Sequence, residues 1–311
     1  MIHVSSLEEV KSDRPTFVTI GAFDGVHLGH QELIRTMTEE AHSAGCAAVV
    51  VSFHPHPAEV LRGRRTSFYL NDPAQGAELM GALGADWVVT HPFTLEVSRV
   101  TAAEFVDRLQ RYLKMVELWA GEDFALGHNR EGNISYLRHQ GEAKGFRVRV
   151  VEAQTVPRGV AVISSSGIRA ALRAGQVEVV AEYLGRPFSL SGRVVEGARR
   201  GQAIGIPTAN LAIGEHRAYP AFGVYACWAR TDDGRWPAVA NIGVRPTFGE
   251  DAAPTIEAHL LDFAGDLYGQ DMALDFVARL RPEIKFAGVE SLVAQIKADI
   301  EQARKLLMAD R

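Results

Sequence analysis

The chain has 311 residues, enough for two domains that each bury a core. Its composition, 47% hydrophobic and 23% charged, is typical of a globular protein. The net charge of −5 argues against a general nucleic-acid binder, because such proteins carry a surplus of lysine and arginine. The longest apolar run, residues 46–53, is far too short to span a bilayer. The acidic N-terminus lacks the apolar segment of a signal peptide, so we expect a cytoplasmic protein.

Residues 21–30 read GAFDGVHLGH and follow an apolar, β-prone run. Their three glycines allow a sharp turn, and a helical pattern begins directly afterwards. A strand, a tight turn and a helix N-terminus together present free backbone N–H groups to one spot, which suits a phosphate. His27 and His30 are three residues apart, so both can face that spot and hold charge that develops on a phosphate. A turn with two surface histidines fits the H-x-G-H spacing equally well, but the strand, the glycines and Asp24 favour a nucleotide site.

Strand and helix patterns alternate from residue 17 to residue 155. The predicted strands are residues 17–20, 47–53, 87–89, 115–120 and 147–151. A helix begins after Thr101, which can form a capping box with Glu104. This alternation predicts a doubly wound α/β domain with a parallel sheet, in which ligands bind beyond the carboxyl ends of the strands. Three stretches lie at such ends: residues 21–30, 52–57 and 121–124.

Residues 164–169, SSSGIR, start another helix, which ends at Gly175. Serines at a helix start can cap the helix or bind a phosphate. Arg169 can clamp a phosphate through two hydrogen bonds. A capped helix with a solvated arginine fits the local sequence as well.

The pattern changes after about Tyr183, and Gly185-Arg186-Pro187 is typical of a junction. We therefore expect one domain over residues 1–184 and another over residues 185–311. In the second part, short β-like runs are broken by glycine and proline, which predicts an antiparallel barrel or sandwich. These runs are residues 192–195, 223–230, 237–241, 255–263 and 272–280. An apolar stripe in residues 289–307 predicts a C-terminal helix that packs on the barrel.

A basic glycine loop, residues 197–201, precedes Thr208 and Asn210. In an extended segment these two side chains face the same side, and their oxygens can ligate Mg²⁺, while Arg199 covers the phosphates. A polar turn is the better interpretation of this hexapeptide taken alone. Glu257 lies in an otherwise apolar strand and is either a general base or part of a solvated face. The sequence contains neither a Walker P-loop nor a protein-kinase signature.

Nine stretches, in register over nearly the whole chain, resemble the prokaryotic bifunctional riboflavin kinase/FMN adenylyltransferase family. In the first half they are GAFDGVHLGH, FHPHP, GEDFALGHNREG and ISSSGIR. In the second half they are GRVVEGARRGQAIGIPTANL, FGVYAC, VANIGVRPTFG, IEAHLLDFAGDLYG and LRPEIKF. The chain departs from the family's usual residues at Ile206, Leu126 and Gly167, which are packing or loop positions that bear on flavin and adenine affinity.

The resemblance implies a nucleotidyltransferase-type α/β domain followed by a small antiparallel β-barrel with a C-terminal helix. It implies that riboflavin and ATP give FMN and ADP, and that FMN and ATP then give FAD and pyrophosphate. These small molecules are the expected partners, with Mg²⁺ as the cofactor and without nucleic acid or a membrane.

The resemblance also implies roles for individual residues at matching positions. His27, His30 and Arg169 act on the ATP phosphates, Thr208 and Asn210 hold the metal, and Glu257 takes the proton of the ribityl 5′-hydroxyl. The implied ATP-binding residues are Gly21, Phe23, Asp24, Gly29, Ser164, Ser165 and Arg199. The implied flavin-binding residues are Asp123, Phe124, Asn241 and Arg245. For Asp24, a contact with the α-phosphate or a metal and a cap on the following turn fit equally well.

Three rival interpretations remain open at this point. The chain can be a single-activity enzyme with one degenerate half, or a flavin- or nucleotide-binding regulator without turnover. Separate assays of FMN, FAD, ADP and pyrophosphate distinguish these two from a bifunctional enzyme. A tRNA-handling relative of the H-x-G-H enzymes would need a basic face, which the net charge of −5 does not favour.

Overall fold

The computed structural model describes residues 1–63, 68–152, 163–197, 201, 204–214, 216–243 and 254–309. The chain forms two compact units, Met1–Ser165 and Ser166–Arg311. Each unit has a sheet of its own, parallel in the first and antiparallel in the second. The predicted succession of an α/β domain and a β-barrel domain is therefore confirmed.

The first unit is built on a six-stranded parallel sheet with the order β1-β4-β3-β2-β5-β8. Its strands are β1 (Ile2–Val4), β2 (Thr16–Gly21), β3 (Ala47–His54), β4 (Trp87–Pro92), β5 (Met115–Gly121) and β8 (Arg147–Val151). A two-stranded ribbon of β6 (Ala125–Leu126) and β7 (Gly132–Asn133) follows β5. Five of the six sheet strands confirm the sequence prediction. Strand β1 was missed because its three mostly exposed residues carry no apolar pattern.

Helices cover both faces of this sheet. They are α1 (Leu28–Ser43), α2 (Pro57–Arg62), α3 (Pro73–Ala82), α4 (Ala102–Leu113) and α5 (Ile134–Lys144). Val49 and Val51 of β3 pack in one core with residues of α4 and α5, whereas Ala48 and Val50 pack in another with residues of α1 and α3. Since alternate residues of a strand face opposite sides, this division is what a doubly wound sheet requires.

The strand order reverses at β2. From β2 the chain continues to β3 and β4 on one side of the sheet, and later to β5 and β8 on the other side. In open α/β sheets the ligand crevice lies beyond the carboxyl end of the strand at such a reversal. The loop that leaves β2 at this point carries residues 21–30.

The second unit contains a closed antiparallel barrel with the order β10-β13-β12-β11-β14-β9. Its strands are β9 (Phe188–Val195), β10 (Ala209–Ile213), β11 (Gly223–Thr231), β12 (Gly234–Gly243), β13 (Thr255–Leu260) and β14 (Asp271–Arg281). Strand β13 ends earlier than the predicted run of residues 255–263. The chain turns there, and Asp262 has a left-handed φ of 59°.

Two helices, α6 (Ser165–Ala174) and α7 (Val177–Leu184), precede the barrel. Arg279 of β14 ties them to it: its guanidinium donates to the carbonyls of Ala174 and Phe222, and its backbone N–H donates to Glu178. Because of this attachment, α6 and α7 belong with the barrel in the second compact unit. The expected boundary at residues 184/185 concerns which residues carry each activity, and it stays a prediction.

The C-terminal helix α8 (Val289–Ala309) packs on the barrel through the second half of its apolar stripe. Ala303 and Leu307 are fully buried in one cluster with residues of β11 and β12. The predicted packing of this helix on the barrel is confirmed, although its first residue, Val289, is 62% exposed.

Helix α8 is also fixed by a buried ion pair. Asp299 is 2% exposed and accepts hydrogen bonds from Arg281 Nη2 at 2.8 Å and from Gln295 at 2.9 Å. We expect Asp299→Ala to lower the free energy of unfolding of the barrel unit by about 3–5 kcal/mol, because it leaves the Arg281 charge without its counter-ion. Urea unfolding measures this loss, and the exposed Lys297→Ala is the matched control on the same helix. A loss below about 1 kcal/mol would contradict the assigned role of the pair.

Candidate active sites

The loop after β2 is closely packed, and several of its residues have left-handed backbone conformations. Gly25 has φ 85°, and the two non-glycine residues Phe23 and Val26 also have positive φ values, 43° and 42°. Each such residue costs about 1–2 kcal/mol, which is offset here by burial, since Phe23 is 4% and Val26 is 1% exposed. A Cβ on Gly21 would lie 3.1 Å from the Phe23 ring. The loop therefore holds one fixed shape at the sheet reversal, as a phosphate-binding loop requires.

The two histidines of this loop lie together at the start of α1. His27 is the N-cap, and its Nδ1 accepts the backbone N–H of His30 at 3.4 Å. The two rings stack with centroids 3.6 Å apart, and the edge of the Phe23 ring contacts His30. Gly29 leaves room for this arrangement, since a Cβ there would lie 3.4 Å from the His27 ring. The structure thus brings both predicted histidines to the N-terminus of a helix.

His30 is held in its neutral form. Burial of the ring, followed by the charge of His27, lowers the pKa of His30 well below its ordinary value of 6.5. Within the described part of the chain, its Nδ1 is buried and has no hydrogen-bond partner. A neutral imidazole has one N–H donor and one nitrogen acceptor, so the unpaired Nδ1 of His30 is suited to form a hydrogen bond with a ligand.

Asp24 supports the loop rather than only capping a turn. The side chain is 4% exposed, and its Oδ1 accepts the backbone N–H of Leu70 at 2.8 Å. Asn71 of the same segment also binds the loop, since its Oδ1 accepts the backbone N–H of Gly25. The carbonyl of Asp24 accepts the Ser165 hydroxyl at 2.8 Å. Sequence reasoning missed this contribution of residues 68–71, and the predicted contacts of Asp24, Ser164 and Ser165 with phosphate stay predictions.

A pocket of about 390 Å³, including its open mouth, lies at the carboxyl ends of β2, β3 and β4. Its lining includes Phe23, Asp24, His56, Tyr69, Asn71 and Thr90. Tyr69 accepts the backbone N–H of His56 at 2.8 Å and donates to Glu59. Burial and the Glu59 hydrogen bond raise the pKa of Tyr69 to about 12, so the phenol stays a donor. The histidine loop and the FHPHP stretch, which supply Phe23, Asp24 and His56, had a signal in the sequence, whereas Tyr69, Asn71 and Thr90 had none.

Two predicted flavin residues lie elsewhere on this edge. Asp123 and Phe124 follow β5, on the opposite side of β2 from the pocket. Asp123 is exposed and its carbonyl accepts a hydrogen bond from Arg130, while Phe124 packs against one of the two cores. The structure therefore does not bring them into the pocket that Phe23 and Asp24 line.

In the second unit, strand register sets a polar row across three neighbouring strands. Glu257 of β13 is the register partner of Asn210 on β10 and of Asn241 on β12. Directly paired residues face the same side with Cβ atoms about 4.5–5.5 Å apart. Ile256 and Ala258 on either side of Glu257 are 1% and 0% exposed, so the row lies on the outer face of the barrel. The predicted base thus has the predicted amide ligand as its neighbour.

Two glycines leave space around the predicted metal ligands. A Cβ on Gly197 would lie 2.1 Å from Asn210 Nδ2, and one on Gly201 would lie 3.4 Å from the Thr208 hydroxyl oxygen. Asn210 is 8% exposed, so its amide, with one hard oxygen donor, is held close to Gly197. Two neutral oxygens suit Mg²⁺ when phosphates and water complete its coordination. Among the described residues, no group of three histidine, cysteine or carboxylate side chains could hold a metal unaided.

The remaining predicted residues have different outcomes. Arg169 is on α6, is 9% exposed and belongs to the second unit. Arg199 and Arg245 lie outside the described residues. The structure adds Glu283, which lies in the LRPEIKF stretch but was given no role from the sequence: a Cβ on Gly243 would lie 2.2 Å from Glu283 Oε1 and 3.5 Å from Asn241 Nδ2. A second carboxylate therefore lies near the polar row.

The comparisons with known proteins agree with an arrangement of two domains in this order. The family model for FAD synthetase matches residues 9–166, and the model for riboflavin kinase matches residues 184–307. The bifunctional riboflavin kinase/FMN adenylyltransferase of Pseudomonas fluorescens is 40% identical over 94% of this chain and 93% of its own length. The chain belongs to this bifunctional family. Its two domains make it a transferase of flavin-cofactor biosynthesis, and such families use ATP, generally with a divalent metal.

Further relatives give the same match. The protein of the same description from Listeria monocytogenes is 36% identical over 92% of this chain and 91% of its length, and that from Escherichia coli K12 is 35% identical over 93% and 91%. A crystal structure of a Streptococcus pneumoniae protein described as a macrolide-efflux protein has a TM-score of 0.88 and 28% identity, covering 97% of this chain and 98% of that one. This match shows that the two proteins share the same fold. In the described residues, no helix is long and apolar enough to cross a membrane.

The neutral state of His30 can be checked by NMR. We expect its ring protons to titrate with a midpoint well below pH 6.5, with His30→Gln identifying the signal. Since the folded pKa is lower than the unfolded one, the neutral ring contributes stability above about pH 6.5, and this contribution is lost as the pH falls toward the folded pKa. A midpoint at or above 6.5 would show that the ring is hydrated, contrary to the packing against His27 and Phe23.

Proposed function

We propose that residues 185–311 phosphorylate riboflavin with ATP to give FMN and ADP, and that residues 1–184 adenylylate FMN with ATP to give FAD and pyrophosphate. The observation that carries the proposal is the register of β13, which places Glu257 directly between Asn210 and Asn241. A carboxylate beside an amide oxygen donor is the pairing that a metal-assisted kinase needs.

In the kinase step, Glu257 accepts the proton of the ribityl 5′-hydroxyl while that oxygen attacks the γ-phosphorus of ATP and ADP leaves. Asn241 is the neighbour of Glu257 on the other side of the row, which supports a role in binding the flavin's ribityl chain. Thr208 and Asn210 would hold Mg²⁺, which when bound neutralises phosphate charge. Arg199 and Arg245 are included as phosphate and flavin contacts on the strength of the family resemblance alone.

In the adenylyl step, a phosphate oxygen of FMN attacks the α-phosphorus of ATP and pyrophosphate leaves. This step needs no general base, because the FMN phosphate is already anionic at neutral pH. The N–H groups at the start of α1, with His27 and His30, are placed to stabilise charge on the phosphates. Arg169, Ser164 and Ser165 are further phosphate contacts by their positions in the SSSGIR stretch.

We further propose that the pocket beyond β2, β3 and β4 receives part of one substrate, since it is continuous with Phe23 and Asp24 of the histidine loop. Asp123 and Phe124 would then contact the flavin from the β5 side of that loop. The net charge of −5 supports small-molecule substrates rather than a nucleic-acid partner.

A crossed pair of variants tests the assignment of each activity to its unit. Glu257→Gln keeps the size and the hydrogen bonding of the side chain but cannot accept a proton at neutral pH. It should lower FMN formation by about 10²–10⁴-fold and leave the conversion of supplied FMN to FAD unchanged. His30→Gln should lower FAD formation by about 10²–10³-fold and leave FMN formation unchanged.

Chromatographic assays with riboflavin or FMN as the substrate measure the two steps separately. A Glu257→Gln enzyme that keeps more than about a tenth of its kinase rate would remove Glu257 from the role of base. Rescue of that variant by high Mg²⁺ would instead make Glu257 a metal ligand. Unchanged FAD formation in His30→Gln would withdraw the phosphate-binding role of the loop, whereas equal damage to both steps would indicate a folding defect.

A further inference from the structure

A histidine outside the polar row holds the chain next to the predicted metal ligands. His259 is two residues after Glu257 on β13, and its Nδ1 lies 2.7 Å from the carbonyl oxygen of Pro207. A carbonyl oxygen only accepts, so Nδ1 carries the proton and donates. His259 therefore binds the residue that directly precedes Thr208.

The strand ladder does not reach this position. Strand β10 begins at Ala209, and its pairing with β13 consists of Ala209 with Ala258 and Asn210 with Glu257. Continuing that register would place Thr208 opposite His259. Pro207 has no N–H with which to extend the ladder. At this position the side chain of His259 binds the chain instead of the strand ladder. Thr208 therefore lies between Ala209, which pairs with Ala258 in the sheet, and the Pro207 carbonyl, which His259 binds.

The other side of this segment is closed by backbone. The N–H of Ile206 donates to the Gly201 carbonyl at 2.9 Å. A Cβ added to Gly201 would lie only 2.3 Å from the Ile206 carbonyl oxygen, so no side chain fits there. Beyond His259, Arg304 of α8 forms two hydrogen bonds with Asp262. This exposed ion pair connects α8 to the turn that follows β13, three residues after His259.

We propose that His259 is a positioning residue for the kinase step: by holding the Pro207 carbonyl it sets the direction of the Thr208 hydroxyl toward the divalent cation that accompanies ATP. The inference rests on the proposed function, in which Thr208 is a metal ligand. His259 itself contacts neither substrate nor metal in this assignment.

Three variants of the full chain test it. In His259→Asn the amide nitrogen occupies the place of Nδ1 and keeps a donor, whereas His259→Leu has a similar size without one. His259→Gln moves the donor outward, and it replaces the leucine variant if that one does not fold. Thr208→Val removes the proposed ligand itself. Calorimetric titration with ADP, with and without Mg²⁺, gives a binding readout, and kinase assays give KM for MgATP and kcat.

We expect His259→Leu to weaken the Mg²⁺-dependent binding of ADP and raise KM for MgATP by about 2- to 10-fold, the usual value of one net hydrogen bond. His259→Asn should stay within about 2-fold of the parent chain. Conversion of supplied FMN to FAD should not change in either. Equal losses in the leucine and asparagine variants, or no loss in either, would overturn the inference.

Thr208→Val separates this inference from the proposed function. If it leaves the Mg²⁺ dependence unchanged, the proposed metal site is wrong and the role of His259 falls with it. If it raises the Mg²⁺ requirement while His259→Leu does not, the metal site stands and the positioning role alone is refuted.

Discussion

Strand register is the constraint on which both candidate sites depend. In the barrel, one antiparallel register brings Asn210, Glu257 and Asn241 into a row, and a slip of one residue would turn Glu257 into the packed interior. In the α/β unit, the order of parallel strands makes β2 the point of reversal and places the histidine loop at its carboxyl end. Neither site is built by its local sequence alone, because the sheet decides which side chains become neighbours.

The two sites differ in the way that their proposed reactions require. The kinase step starts from a neutral hydroxyl, so a proton acceptor is needed, and Glu257 is a half-buried carboxylate next to two amides. The adenylyl step starts from an anion, and there the protein presents a helix N-terminus and a neutral His30 rather than a carboxylate base. Burial and the charge of His27 lower the pKa of His30, so in the proposed reaction it would act through a hydrogen bond instead of a full charge.

Much of this arrangement could be predicted from the sequence, because buried strands and helix caps have strong local signals. The run at residues 47–53 is apolar on both faces, and Thr101 with Glu104 forms a capping box within four residues. Spacing also linked Thr208 with Asn210, since alternate residues of an extended chain share a side.

The rest depends on contacts between distant segments. Leu70 and Asn71 support the histidine loop from more than forty residues away, and the His259 bond to Pro207 spans 52 positions. Such pairings leave no periodic pattern in the sequence. The GEDF motif places Asp123 at the end of β5, but it does not show that this strand lies across β2 from β3 and β4, which only the sheet order reveals.

The central claim is that one chain carries two different phosphorus-transfer sites that act in succession. Incubation of the full-length chain with riboflavin, ATP and Mg²⁺, followed over time by chromatography of flavins and nucleotides, tests it most directly. The account predicts that FMN appears before FAD, with one ADP released for each riboflavin phosphorylated and one pyrophosphate for each FAD formed. FMN that is never converted to FAD would contradict it, as would flavin binding without release of ADP or pyrophosphate.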